Sequence, residues 1–255
     1  KQSVISGVGD GHLDVLVNRL RTRNKLEVEL IPVIVPYRET IKGRAENIRG
    51  RHKKQSGGSG QFGDVVMSFE ASGDLSQEYE FEQRIFGGSV PRQYWPAVEK
   101  GVQECCKSGP LAGYPVVGLK AILLDGSYHS VDSNELSFKL AAIIAFKDGF
   151  IKAKPVILEP VMKVDIFVPD EYTGDIMGDV NKRRGRILGM TKTGNKQQIS
   201  AQVPLAEMIS YSIELRSITQ GRGEFAMEFD SYEEAPNDAA EKIIAYRKQE
   251  REAGK

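Results

Sequence analysis

The segment Gln55-Ser56-Gly57-Gly58-Ser59-Gly60-Gln61-Phe62-Gly63 governs how the chain around it is read. Its glycines make it a poor helix or strand interior. An apolar strand pattern follows at once, with Val65, Val66, Met67 and Phe69. A basic run precedes it: Arg44, Arg49, Arg51, His52, Lys53 and Lys54. A glycine-rich tip between two strands can take positive φ and approach another backbone closely. The flanking cations make a polyanion the expected partner. Taken alone, the pattern also describes a flexible hairpin end with solvated charges.

The bulk composition is that of an ordinary soluble globular chain, with 40% hydrophobic and 27% charged residues in 255. That length allows one to three domains. The 35 basic and 35 acidic side chains cancel, but they are segregated. Basic runs stand at 44–54 and at Lys182, Arg183, Arg184 and Arg186, while 228–238 is acidic. Adjacent Cys105 and Cys106 give neither a disulfide framework nor a metal spacing, and fit a reducing cytoplasm. We expect no metal, no membrane span and no DNA partner.

Three units are expected along the chain. Residues 1–36 contain a strand end at Ser3–Ser6 and a helix with Leu13, Leu16, Val17 and Leu20 on one face. A half-buried strand then alternates Leu26, Val28 and Leu30. One helix between two strands cannot cover both faces of a sheet. Residues 1–36 are therefore expected to be the second half of a truncated α+β unit, through which the isolated fragment would self-associate. Residues 37–157 hold the opening loop, further strands and two helices. In the second helix, Leu136, Leu140, Ile143 and Ile151 mark the apolar stripe. Asp132 and Glu135 stand at capping-box spacing ahead of it. A second exposed loop lies at 125–131. Pro155 and Pro160 suggest a junction. Residues 158–235 then run strand–helix–strand–strand–helix–strand, the ferredoxin-like split arrangement, with a hairpin at Gly194-Asn195. Residues 237–252 form a charged terminal helix expected to pack on the second unit. The fold class is α+β, built of two-layer units.

Six collinear motifs carry a resemblance. They are residues 55–63; Ser108-Gly109-Pro110-Leu111-Ala112-Gly113-Tyr114-Pro115-Val116; and Leu124-Asp125-Gly126-Ser127-Tyr128-His129-Ser130-Val131-Asp132-Ser133. The others are Leu158-Glu159-Pro160-Val161-Met162, Gly178-Asp179-Val180-Asn181-Lys182-Arg183-Arg184-Gly185-Arg186-Ile187 and Thr219-Gln220-Gly221-Arg222-Gly223. Together they resemble bacterial translation elongation factor G, from the end of its third domain through its fourth and fifth. Two positions depart from the family pattern. Ser59 stands where Arg is usual, and Asp64 where His is frequent. The first departure leaves open a divergent paralogue.

The resemblance implies an S5-like second unit whose tip loops enter the ribosomal decoding region as tRNA and mRNA advance. It implies contact with the ribosome's RNA and with tRNA–mRNA in the A site. The implied contact residues are Lys53, Lys54, Gln55, Ser56, Gly57, Gly58, Ser59, Gly60, Gln61, Ser127, Tyr128 and His129. The third unit, through Lys182, Arg183 and Arg184, is implied to face large-subunit RNA. From sequence alone that run equally describes a solvated helix end. No phosphate loop of the form Gly-x-x-x-x-Gly-Lys-Ser/Thr occurs. GTP and its Mg would therefore belong to a domain outside this chain, which is expected to have no cofactor and no catalysis of its own. Two competing readings are a ribosome-protection factor and an enzyme cradling a nucleotide phosphate in the glycine loop. The second suits a loop that opens a helix; this one joins strands.

Overall fold

A computed structural model describes residues 5, 10–31, 33–55 and 60–252. The expected strand end at Ser3–Ser6 lies outside the described residues, apart from Ile5. The chain forms two compact units, Tyr37–Leu158 with Glu234–Lys255, and Lys1–Pro36 with Glu159–Glu233. Both are mixed α+β.

In the first of these, β2 (Ala45–Lys54), β3 (Gln61–Ala71), β4 (Tyr79–Gln83) and β5 (Leu119–Ser127) form one sheet in the order β2-β3-β5-β4. β2, β3 and β5 pair antiparallel, while β4 runs parallel to β5. The β4–β5 crossover contains α2 (Trp95–Lys107), and α3 (Glu135–Lys152) follows β5. Both helices pack on one face of the sheet, where Val98 and Val102 of α2 share a core with Val65, Met67 and Phe69 of β3. Asn134 caps α3, its side chain accepting the Ser137 N–H at 2.9 Å. The capping-box expectation at Asp132 is thus displaced by two residues, and Asp132 is left for another partner.

The apolar stripe expected on α3 is only partly turned inward. Leu136 and Ile151 are exposed, Leu140 and Ile143 are half-buried with Ile143 against the core, and the buried face is Phe138, Ala141, Ala142, Ala145, Phe146 and Phe150. Small side chains win that face because the helix lies almost on the backbone of β2 and β3. A Cβ at Gly50 would sit 2.1 Å from the Ala141 carbonyl oxygen, and one at Gly63 2.3 Å from that of Ser137. The aromatic residues fill what the alanines leave. Phe146 stacks on Phe150 and meets Phe69 edge-on.

A buried carboxylate organises the opposite end. Glu39, on β1 (Arg38–Ile41), is fully buried and accepts the N–H groups of Leu111, Ala112 and Tyr114 at 2.8–2.9 Å. Burial pushes its carboxyl above the usual range, against the pull of these donors. β1 pairs with Pro155–Leu158. Beside it, α6 (Asn237–Glu252) lays Ile243 and Ile244 against Tyr37, Tyr114 and Ile157, while Tyr246 is exposed.

In the other unit, β6 (Pro155–Pro169) pairs β8 (Lys196–Pro204), β8 pairs β7 (Arg186–Thr193), and β9 (Glu224–Glu234) pairs β6. The order β7-β8-β6-β9 with α4 (Thr173–Lys182) and α5 (Tyr211–Thr219) is the ferredoxin-like arrangement. Its core joins Val164, Ile166, Ile176, Val180, Tyr211 and Leu215. β6 runs unbroken through Pro155 and Pro160, so the expected junction is strand. Ile209 and Ile213, at helical spacing, are exposed.

α1 (Asp10–Asn24) carries the expected face, with Leu13, Leu16, Val17 and Leu20 half-buried. The strand expected at Leu26–Leu30 does not form. Among the described residues from 13 to 38 none is buried, and a strand with no opposing partner has nothing to hold it.

Replacing Glu39 by Gln keeps an oxygen for Ala112 and Tyr114 but turns an amide N–H toward the Leu111 N–H and leaves it unpaired. We expect a loss of about 2 kcal/mol, within the range of about 1–3 kcal/mol for one orphaned group. Urea unfolding that shows no loss contradicts this organising role.

Candidate nucleic-acid interface

The stem of the glycine hairpin is built from charge. Asp64 on β3 is fully buried on a sheet face. Arg49 of β2 grips it with two N–H donors at 2.8 and 2.6 Å, and the Ser127 hydroxyl of β5 donates at 2.6 Å. Burial alone would raise the Asp64 carboxyl, but Arg49 and Ser127 hold it below its ordinary value. One carboxylate therefore ties three strands together at the level where the hairpin leaves the sheet. Further out, Arg51 lies over the Phe62 ring at 5.3 Å, and His52 Nε2 meets Gln61 Oε1 at 2.9 Å.

The two loops expected at the tip come together there. Gly60 N–H donates to Asp132 Oδ1 at 3.0 Å, and Phe62 N–H to the Asp132 carbonyl at 2.9 Å. Ser133 Oγ donates to the Phe62 carbonyl at 2.9 Å and accepts the His129 N–H at 2.9 Å. Tyr94 fixes the turn from behind, its hydroxyl donating to the Ser133 carbonyl at 3.2 Å. Asp132 and Ser133 make the contacts that join the two loops, and sequence reading does not single them out for this. Both lie inside a motif quoted above, but capping-box spacing claims Asp132 for the helix, and no spacing singles out Ser133.

Lys53 and Lys54 are exposed at the end of β2, and Gln55 is exposed beyond it. Ser56, Gly57, Gly58 and Ser59 lie outside the described residues. Gly60 is buried beneath Asp132, and Gln61 is half-buried against His52. Ser127 spends its hydroxyl on Asp64. Tyr128 and His129 are exposed. Gly60, Gln61 and Ser127 therefore shape the site from within, while Lys53, Lys54, Gln55, Tyr128 and His129 face outward.

The basic run of the other unit divides differently. Lys182 is exposed at the end of α4. Arg183 is buried, donating to Asp179 at 2.8 Å, to Glu214 and to the Glu207 carbonyl, with its guanidinium over the Tyr211 ring. Arg184 binds the buried Glu159 with two donors at 2.7 and 2.9 Å and reaches Glu207 at 3.1 Å. Arg183 and Arg184, expected to meet RNA, are thus both bound to carboxylates of their own unit, Arg183 from a buried position and Arg184 from an exposed one. Among the described residues no cluster of His, Cys, Asp and Glu could hold a metal ion. No helix of theirs is long and apolar enough to cross a membrane.

Comparison with known proteins places two family models end to end on the chain. Elongation factor G domain IV matches residues 33–154, and the elongation factor G C-terminus matches 156–243. A crystal structure of a Thermus thermophilus protein superposes with a TM-score of 0.80 at 45% identity, over 94% of this chain. The chain spans 36% of the length of that protein.

Two outcomes follow from the site chemistry. Arg184→Ala strands the buried Glu159 and is expected to cost about 3 kcal/mol in chemical denaturation. Lys182→Ala is expected to leave stability within about 0.5 kcal/mol; equal losses would contradict the division drawn between them. The lowered Asp64 carboxyl contributes stability that is present above about pH 4, the ordinary Asp range, and is lost as pH falls through its folded value. Asp64→Asn should flatten the acid limb of a stability–pH profile, and an unchanged limb would remove Asp64 from it.

Proposed function

Because the chain belongs to the elongation factor G family, we propose that it is the ribosome-contacting module of a translational GTPase. In this reading the tip of the domain IV-like unit enters the decoding-region A site in the cytoplasm and promotes tRNA–mRNA movement. GTP hydrolysis belongs to a domain not contained in this sequence. The carrying observation is the latch of Asp132 on Gly60 and Phe62, which brings the 129–133 turn to the end of the β2–β3 pair that carries exposed Lys53 and Lys54. Such an end acts as a wedge. It occupies space beside nucleic acid, contacts phosphates through Lys53 and Lys54, and itself breaks no bond. Backbone and hydroxyl groups contact a minor groove without selecting a sequence, as a factor serving every codon requires. Lys182 supplies a separate cationic contact on the ferredoxin-like unit. Arg183 and Arg184 are left out of the interface, since both are engaged inside that unit.

The test is sedimentation of the chain with bacterial ribosomes across a salt series. We expect salt-dependent binding without GTP turnover. The Lys53→Glu, Lys54→Glu double variant should bind more weakly, with its log–log salt slope reduced by about two, one for each phosphate no longer neutralised. Unchanged affinity and slope, or GTP turnover by the purified chain, overturns the proposal.

A further inference from the structure

His129 is exposed, yet one side of its ring is committed. Its Nδ1 faces inward, where the backbone N–H of Asp132 points at it from 3.2 Å and that of Val131 from 3.4 Å. Its own N–H is fixed by Ser133 Oγ, and its carbonyl accepts the Ser133 N–H at 3.1 Å. The ring stands 6.4 Å from that of Phe62, tilted by 60°. The side chain is thus oriented by its own turn, and that turn is locked to the glycine hairpin through Asp132 and Ser133.

A neutral imidazole has one nitrogen that donates and one that accepts, and the hydrogen bond made by one decides where the proton sits. A proton on Nδ1 would point into two backbone N–H groups. An unprotonated Nδ1 accepts both. The Asp132 carboxylate is also near, Oδ2 standing 3.4 Å from Nδ1, but its Oδ1 is engaged by Gly60 N–H. Oδ2 and Nδ1 lack the geometry of a hydrogen bond, whereas both backbone N–H groups have it.

We infer that the 129–133 turn, with Asp132 as its positioning residue, holds His129 in the tautomer protonated on Nε2, so that the tip presents an outward N–H donor to an acceptor oxygen of RNA. This inference rests on the ribosomal reading above and deepens it. The recognised group is a phosphate or ribose oxygen, and the ring is a donor rather than a stacking surface. Asp132 performs two tasks. Its backbone N–H helps fix the tautomer, and its side chain carries the glycine hairpin to the same place.

Heteronuclear NMR of the 15N-labelled chain near pH 8 reads the tautomer directly, with the His129 signals assigned by their loss in His129→Gln. We expect an unprotonated Nδ1 and a protonated Nε2; a protonated Nδ1 overturns the inference. Ribosome binding supplies a second readout. The amide nitrogen of Gln can take the place of Nε2–H, whereas Phe keeps a stacking ring and loses the donor. His129→Gln should bind within about threefold of the unaltered chain, and His129→Phe about tenfold more weakly. Asp132→Asn retains an acceptor for Gly60 and should bind near normally, whereas Asp132→Ala should fall with His129→Phe. A message with 2′-deoxy sugars in the A-site codon separates the two oxygens. A ribose acceptor makes the His129→Phe deficit vanish on it, and a phosphate acceptor preserves the deficit. If His129→Phe binds normally while the Lys53, Lys54 charge reversal weakens binding, this inference fails and the ribosomal reading stands. If neither change affects binding, the ribosomal reading itself fails.

Discussion

The close approach of α3 to the β2–β3 backbone is the constraint on which the tip depends. Side chains at Gly50 and Gly63 would collide with the helix's own carbonyl oxygens, so the two backbones touch only because those positions carry none. Interiors pack too densely to absorb even one added methyl there without a shift. The helix therefore starts low against β3, and the turn ahead of it arrives level with Gly60. Asp132 can then accept from the glycine hairpin while Asn134 caps the helix. A helix riding on large side chains would lift that turn out of reach.

Charge is sorted by what surrounds it, not by sign along the sequence. Arg49, Arg183 and Arg184 each bind a carboxylate that is largely removed from water. The planar guanidinium fork suits that work, since it fills two or more acceptor sites at once. Lys53, Lys54 and Lys182, lysines at element ends, are among the cations left exposed for an external anion. A compact ammonium on a long stem reaches out without needing a fixed partner. A chain with no net charge can in this way still present cations locally to a polyanion.

Much of the fold was legible from local pattern. The ferredoxin-like strand and helix order, the Gly194-Asn195 hairpin and the helix carrying Val98 and Val102 all follow from spacing and turn chemistry. Two readings failed for one shared reason. The stripe of Leu136 and Ile151 and the strand at Leu26–Leu30 both assumed that apolar spacing names the buried face. Burial depends on what stands opposite, and the opposing surface comes from distant parts of the chain. α3 offers alanines to the sheet because a glycine-bearing hairpin lies against it. The 26–30 segment pairs with no strand among the described residues.

The amino-acid sequence by itself determined the α+β class, the glycine hairpin with its cations, and, through six motifs, the family. Those features rest on backbone conformations and residue types that neighbouring positions specify. Only the tertiary structure decided which charges face outward, that Asp132 reaches a glycine 72 residues away in the chain, and which nitrogen of His129 turns inward. The outward charges and the Asp132 latch follow from contacts between groups remote in sequence, and the ring is aimed by the turn that this latch secures. No local periodicity encodes the partner of a buried carboxylate.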